Sequence, residues 1–181
     1  LESRDGSTTT QTRVKEHGHF IQVNPAKTYF SGRLSEQRKM THQAILKFRE
    51  GFDRPLTMFD TYAGVGPSMA YLYTDSDLTE CVYVNDMNPD TRDLLETNMD
   101  TFDKKRSKIG TYVVETMDAR LMISSRPETR NMADVLLVNL PHDGVSHLPE
   151  LLPLLSDKRA MLCGWAIIEK SETESFMKSL K

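Results

Sequence analysis

Residues 56–73 read LTMFDTYAGVGPSMAYLY. An apolar run ends at Asp60, two glycines follow at Gly64 and Gly66, and Pro67 leads into a second apolar run. Glycine permits a tight turn and lets a ligand approach the backbone closely. Proline suits the first helical position, where its missing N–H costs nothing. The stretch therefore predicts a strand over 56–62, a sharp turn and a short helix over 67–73. A dinucleotide-binding fingerprint needs a third glycine, and Met69 stands in that place. A pyrophosphate clamp is thereby weakened, and a plain strand-to-helix turn remains the alternative reading.

The same rhythm continues along the chain. CVYVND (81–86), TYVVE (111–115), VLLVNL (135–140) and AMLCGWAII (160–168) read as strands. Helical patterns occupy 35–50, 89–102, 146–155 and 171–180. The alternation predicts an α/β fold, a doubly wound and mostly parallel sheet with helices on both faces and right-handed crossovers. Ahead of it, HGHFIQVNPAKTYF (17–30) reads as a hairpin or extended arm. Two parts are expected: a polar lead-in with this arm (1–30) and the main domain (31–181).

The 181 residues, 38% hydrophobic and 27% charged, suffice for one domain with its own core. The net charge of −3 argues against a protein that coats nucleic acid electrostatically, while leaving local basic patches open. No apolar run reaches the length of a membrane span. The opening LESRDGSTTTQTR lacks a signal peptide's apolar core, and reads as a flexible lead-in or the edge of a longer protein. Cys81 and Cys163 fit neither a metal spacing nor a disulfide framework. They suit buried thiols in a reducing compartment, so a cytoplasmic location without a metal is expected.

Ligands of doubly wound sheets bind at the carboxyl ends of the strands, where the strand order reverses. Asp60 ends the first strand. Asp86 ends the second and is placed to accept hydrogen bonds from both hydroxyls of a ribose. Asn88, directly before Pro89, suits helix capping better, which leaves Asp86 free. Asp118, in MDAR, is either an acceptor for an adenine amino group or part of a surface turn. Asn139 ends a strand too apolar for it to be mere packing, and its amide both donates and accepts. Pro141 stiffens the turn that follows. His142 is a base or a solvated loop histidine. In FSGRLSEQR (30–38), Arg33 and Arg38 pair with a carboxylate or phosphate, or belong to a solvated face.

AKTYFSGRLSEQR, FDTYAGVGP, VNDMNP and VNLP, in that order, resemble the catalytic domain of the archaeal and eukaryotic tRNA (guanine-37) N1-methyltransferases and their wybutosine-synthesis relatives. The similarity runs from about Thr12 to the end. It implies a Rossmann-like class I methyltransferase fold, S-adenosylmethionine as cofactor, and a guanine in tRNA as substrate. Carried over by the resemblance, Asp60, Ala63, Gly64 and Gly66 form the glycine loop at the amino-acid end of the cofactor. Asp86 holds the ribose and Asp118 faces the adenine. Asn139 and Pro141 sit beside the methyl group and the target base. Tyr29 and Arg33 match the family's YFSPR segment, with Gly32 replacing its proline. Arg33 or Arg38 would stabilise charge on the base or grip RNA, with His142 beside the RNA.

One departure bears on the chemistry. The guanine methylators carry a glutamate directly before the arginine matched by Arg38, and here that position is Gln37. An amide is no general base near neutral pH. Either Glu36 takes the role through a shifted helix start, or the chemistry differs. The relatives also carry N-terminal domains that grip tRNA, so a missing RNA-binding domain or a partner subunit is expected. The alternatives are aminocarboxypropyl transfer from the same cofactor, a non-catalytic cofactor- or RNA-binding subunit, and guanine N2 methylation. The last rests on a weaker similarity of GRLSEQR and VYVNDMNPDTRDLL to the tRNA (guanine-26) N2-dimethyltransferases, whose DPFG-type turn NLPH does not match. A nucleotide-dependent oxidoreductase ranks lower because of Met69.

Overall fold

The computed structural model describes residues 10–179. Two short alternating segments, β1 (Thr12–Glu16) and β2 (His19–Val23), pair first, as an antiparallel hairpin. Its two turn residues, His17 and Gly18, have φ of 43° and 89°. Positive φ at both positions is the two-residue turn whose twist matches that of the flanking strands. The hairpin thus begins earlier than residue 17. The chain then runs through α1 (Ser35–Arg49), β3 (Leu56–Asp60), α2 (Met69–Leu72), β4 (Thr79–Asn85), α3 (Arg92–Asp103) and β5 (Thr111–Glu115). The second half supplies α4 (Met122–Ser125), β6 (Val135–Val138), α5 (Leu148–Leu151), β7 (Met161–Gly164) and α6 (Thr173–Ser179).

The five later strands form one parallel sheet in the order β5-β4-β3-β6-β7. This is the doubly wound α/β arrangement expected from the sequence, and the order reverses between β3 and β6. Successive side chains of a strand point to opposite faces. Met58, Val82, Val84, Val135 and Leu137 accordingly meet Ile45 of α1 and Leu95, Met99 and Phe102 of α3 on one face. Phe59, Leu136 and Val138 meet Met122, Leu151 and Leu154 on the other. Every residue of β6 is buried, which explains its unbroken apolar run. No helix among the described residues is long and apolar enough to cross a membrane.

Two elements differ from expectation. The last strand stops at Gly164 instead of residue 168. Its partner β6 ends at Val138, where Asn139-Leu140-Pro141 turns away, so no ladder partner remains beyond Gly164. A helical turn over residues 119–125 was not expected; Asp118 caps it by accepting the Arg120 N–H.

The hairpin is part of the core. Ile21 and Val23 are buried in the same cluster as Met58 and Leu95. Two polar ties fix it in place. Fully buried Asn98 of α3 accepts the Gln22 N–H at 2.8 Å and donates to Gln22 O at 2.9 Å and to Val65 O at 2.8 Å. One amide thereby joins β2, α3 and the loop carrying Gly64 and Gly66. Glu16 receives Arg38 through two hydrogen bonds of 2.8 and 2.6 Å, and the Tyr71 hydroxyl at 2.8 Å. Burial alone raises the Glu16 pKa, but the bonds from Arg38 and Tyr71 outweigh it and hold the carboxyl below its usual value.

Replacing Asn98 with Leu keeps the branching of the side chain but leaves an N–H and two carbonyls unpaired in the interior. Urea denaturation is expected to show a loss of about 2–4 kcal/mol. A loss under about 1 kcal/mol would mean that the three bonds do not hold the hairpin and the glycine-bearing loop together.

Candidate active site

The strand ends on either side of the order reversal open into a cavity of about 760 Å³. At its floor lies Asp60, only 2% exposed, whose Oδ1 has no hydrogen-bond partner. Desolvation lifts its pKa to about 7; a bond from the Tyr62 backbone N–H offsets this only in part, and nearby Asp86 adds to the rise. Ala63 and Gly64 form the adjoining wall. Gly64 and Gly66 have φ of +54° and +78°, in the left-handed region that favours glycine. Gly66 lies outside the cavity wall, against α3: a Cβ there would sit 2.9 Å from Leu95 Cδ1. Its role in the fold is close packing of the loop on the helix.

Asp86 reaches back to this loop. Its Oδ2 accepts the Gly64 N–H at 2.8 Å and its Oδ1 accepts the Asn88 N–H at 2.9 Å. Both bonds orient the carboxylate while each oxygen keeps a second lone pair for a ligand. Asn88 caps the next helical turn by accepting the Asp90 N–H. Behind them, Asn85 is buried and donates to Thr61 O and Met117 O, holding the ends of three neighbouring strands in register. Asp118 also lines the cavity, with Arg120 folded over it in a bidentate pair that holds its carboxyl at about 2.

Asn139 and Pro141 form the opposite wall. The turn is tight: the Gly144 N–H bonds Leu140 O at 2.8 Å, and a Cβ on Gly144 would lie 2.5 Å from that oxygen. The segment after β7 braces it through the Ile167 N–H and Pro141 O at 2.8 Å. Tyr29, 76% exposed, stands at the rim with His142.

The segment before β3 divides. Gln37 and Arg38 line the cavity; Arg33 and Glu36 do not. Arg33 is exposed on the turn that precedes α1. Glu36 is 72% exposed and faces His17 Nε2 at 3.5 Å. Since α1 starts at Ser35, consecutive residues lie about 100° apart around it, and the turn that brings Gln37 inward carries Glu36 outward. The helix start therefore does not shift Glu36 into the vacant role. Arg38 is committed to Glu16 and to Ser31 O at 3.1 Å, a buried ion pair and not a free grip for RNA.

Sequence reasoning missed several wall residues: Tyr62, Arg120, Asp143, His147 and Trp165. Trp165 directly follows the last residue of β7 and Tyr62 lies two residues beyond the end of β3, near the position that marked the others. Nothing local marks His147, whose Nδ1 lies 2.6 Å from the Tyr62 hydroxyl. The charge pattern is distinctive. Two carboxylates, Asp60 and Asp86, face the glycine-bearing loop, while the wall's two arginines are already paired with Glu16 and Asp118. Such a site favours a cationic, hydroxyl-bearing ligand over a pyrophosphate.

The family model of the TRM5/TYW2 methyltransferase domain matches residues 12–170. A tRNA (guanine(37)-N(1))-methyltransferase 2 of Arabidopsis thaliana is 28% identical over 87% of this chain and 24% of its own length. Trm5b of Pyrococcus abyssi, also a tRNA (guanine(37)-N(1))-methyltransferase, is 28% identical over 84% of this chain and 39% of its own. Its crystal structure superposes with a TM-score of 0.72 at 23% identity, covering 96% of this chain and 46% of that one. The structure of M. jannaschii TYW2 in complex with AdoMet gives 0.69 at 20% identity, over 97% and 72%. This chain thus spans between about a quarter and two fifths of the curated relatives. Matched along nearly its whole described length, and carrying the same parallel sheet, it belongs to the TRM5/TYW2 methyltransferase-domain family.

Proposed function

We propose that this chain is the catalytic domain of an S-adenosylmethionine-dependent methyltransferase that modifies a guanine in tRNA, with N1-type chemistry. The observation that carries this reading is the buried, unpartnered Oδ1 of Asp60 beside a glycine loop, in a wall whose two arginines are already paired. A carboxylate so placed suits an amino acid's ammonium, and the oriented Asp86 suits ribose hydroxyls. When bound, the cofactor supplies an electrophilic methyl group, so the protein's work is alignment, exclusion of water and care of one proton. Asn139 would hold the base edge through its paired donor and acceptor, with Pro141 keeping that turn stiff. Tyr29 and Arg33 at the exposed approach would contact RNA. The longer relatives support a further domain or partner subunit that supplies the remaining grip. A cytoplasmic setting completes the proposal and suits two unpaired cysteines.

Gln37 in the cavity wall favours a second reading. With Glu36 facing outward, the titratable groups on the Asn139 loop are His142, Asp143 and His147. Aminocarboxypropyl transfer, or binding without turnover, asks less of the position that Gln37 occupies. Incubation with unmodified tRNA and labelled cofactor, followed by nucleoside mass spectrometry, separates the readings. A methylated guanosine supports the first; a product heavier by an aminocarboxypropyl group, or none from a chain that binds cofactor, replaces it. Gln37→Glu restores a general base, and is expected to raise the methylation rate about a hundredfold, at the low end of what such groups contribute. An unchanged rate would place proton removal elsewhere.

Asp60 makes cofactor binding proton-linked. Below about pH 7 the free protein holds its carboxyl protonated, and an adjacent ammonium favours the charged form. Titration calorimetry at pH 6, in buffers of differing ionisation enthalpy, is expected to show release of close to one proton per site. The release fades as the pH rises past about 7. Asp60→Asn abolishes it. Binding at pH 6 without proton release would remove Asp60 from the cofactor's amino group. No binding of S-adenosylmethionine or its demethylated product would end the methyltransferase reading.

A further inference from the structure

The loop after β3 and the loop after β6 face each other across the crevice. Pairing of the strands ends at Asp60 and Leu137, and both the Thr61 N–H and the Thr61 hydroxyl bond Leu137 O. Farther out, the Tyr62 hydroxyl lies 2.6 Å from His147 Nδ1. Among the described residues this is the one side-chain hydrogen bond that joins the two loops. The rings are 5.9 Å apart and tilted by 42°, so they touch without stacking. Both side chains line the cavity.

The loop carrying Asn139 and Pro141 has few outside supports. The bonds from Gly144 N–H to Leu140 O, His147 N–H to Asp143 O and the Ser146 hydroxyl to Asp143 O are internal to it. Its backbone tether, from Ile167 N–H to Pro141 O, lies on the β7 side. Tyr62 is the tether on the opposite side. We propose that Tyr62 and His147 are positioning residues: their hydrogen bond sets the Asn139–Pro141 turn against the glycine loop, so that ligand in one loop and base in the other meet in register. Only the activity arm of the test below rests on the methyltransferase reading.

The surroundings keep the Tyr62 hydroxyl neutral. Asp118, Arg120, Glu150 and Asp143 all face the pair, and burial, then Asp118, pushes the Tyr62 hydroxyl up to about 12. The hydroxyl therefore keeps its proton and stays able to donate or to accept. The bond forms with either imidazole tautomer, the hydroxyl donating to a bare Nδ1 or accepting from an Nδ1–H.

Hydrogen exchange on the unliganded chain tests the coupling, with Tyr62→Phe keeping the ring and removing the hydroxyl. Amides of the 142–151 segment are expected to exchange at least fivefold faster, with β4 unchanged. His147→Ala, which removes the hydroxyl's partner, is expected to do the same and covers a failure of the first variant to fold. Unchanged exchange in the folded variants overturns the proposal. In an active enzyme, Tyr62→Phe should lower kcat about tenfold with the cofactor KM within threefold, and an unchanged kcat would refute the positioning role. If the wild type is inactive on tRNA, the methyltransferase reading fails and the exchange result alone decides.

Discussion

Thr61 closes the pairing of β3 with β6 by giving both its N–H and its hydroxyl to one carbonyl, that of Leu137. Beyond this double bond the two chains part. One turns at Gly64 toward α2 and α3, and the other turns at Asn139 toward α5. The parting is forced by the strand order: the crossovers on either side of β3 and β6 lie on opposite faces of the sheet. Everything in the candidate site is placed by that divergence. Asp60 is buried because it is the last paired residue of a central strand, and the crevice above it is lined by loops that share few bonds.

Asp60 is therefore a liability to folding and an asset to binding. Between about pH 4 and pH 7 the folded state holds a proton that the unfolded chain has lost, so folding weakens as the pH rises through this interval. Above it the fold carries a buried charge with an unpartnered oxygen. Asn would keep an acceptor for the Tyr62 N–H without the buried charge. A group that opposes folding and points into a cavity is most simply explained by a ligand of opposite charge. The paired arginines sharpen the point, because Arg120 and Arg38 leave no positive field to neutralise Asp60 in the ligand's absence.

The alternation of strands and helices, the parallel sheet and the loop ends that carry Asp60, Asp86, Asp118 and Asn139 were legible because each depends on residues close in sequence. The division of labour between Asn88 and Asp86 was legible for the same reason, since Pro89 marks the cap. That Arg38 pairs with a carboxylate was legible, but not that the carboxylate is Glu16, 22 residues away in a hairpin strand that begins before the expected one. Tyr62 and His147 are 85 residues apart and carry no local signal. Glu36 and Gln37 show a different limit. Their spacing was visible, but which of two neighbours faces inward depends on where the helix starts, and a one-residue error there turns a side chain by about 100°.

That same helix start ties one wall of the cavity to the hairpin. Gln37 and Arg38 line the wall together with Tyr29, Phe30 and Ser31. Arg38 bonds Ser31 O and Glu16, and Glu16 accepts from Tyr71 of α2. The wall is thus built on a buried charge whose partners come from the hairpin, α1 and α2. Breaking one partner of such a pair leaves the other charge unpaired in the interior, so the wall and the hairpin hold or loosen together. Asn98 extends the same unit to the glycine-bearing loop through Val65 O. The two sides of the cavity consequently differ in kind. The side formed by the hairpin, α1 and α3 is locked by buried polar bonds, whereas the Asn139 side hangs on one backbone bond to Pro141 O and on the hydroxyl of Tyr62. Local opening belongs to the second side, because fewer buried polar bonds have to break there.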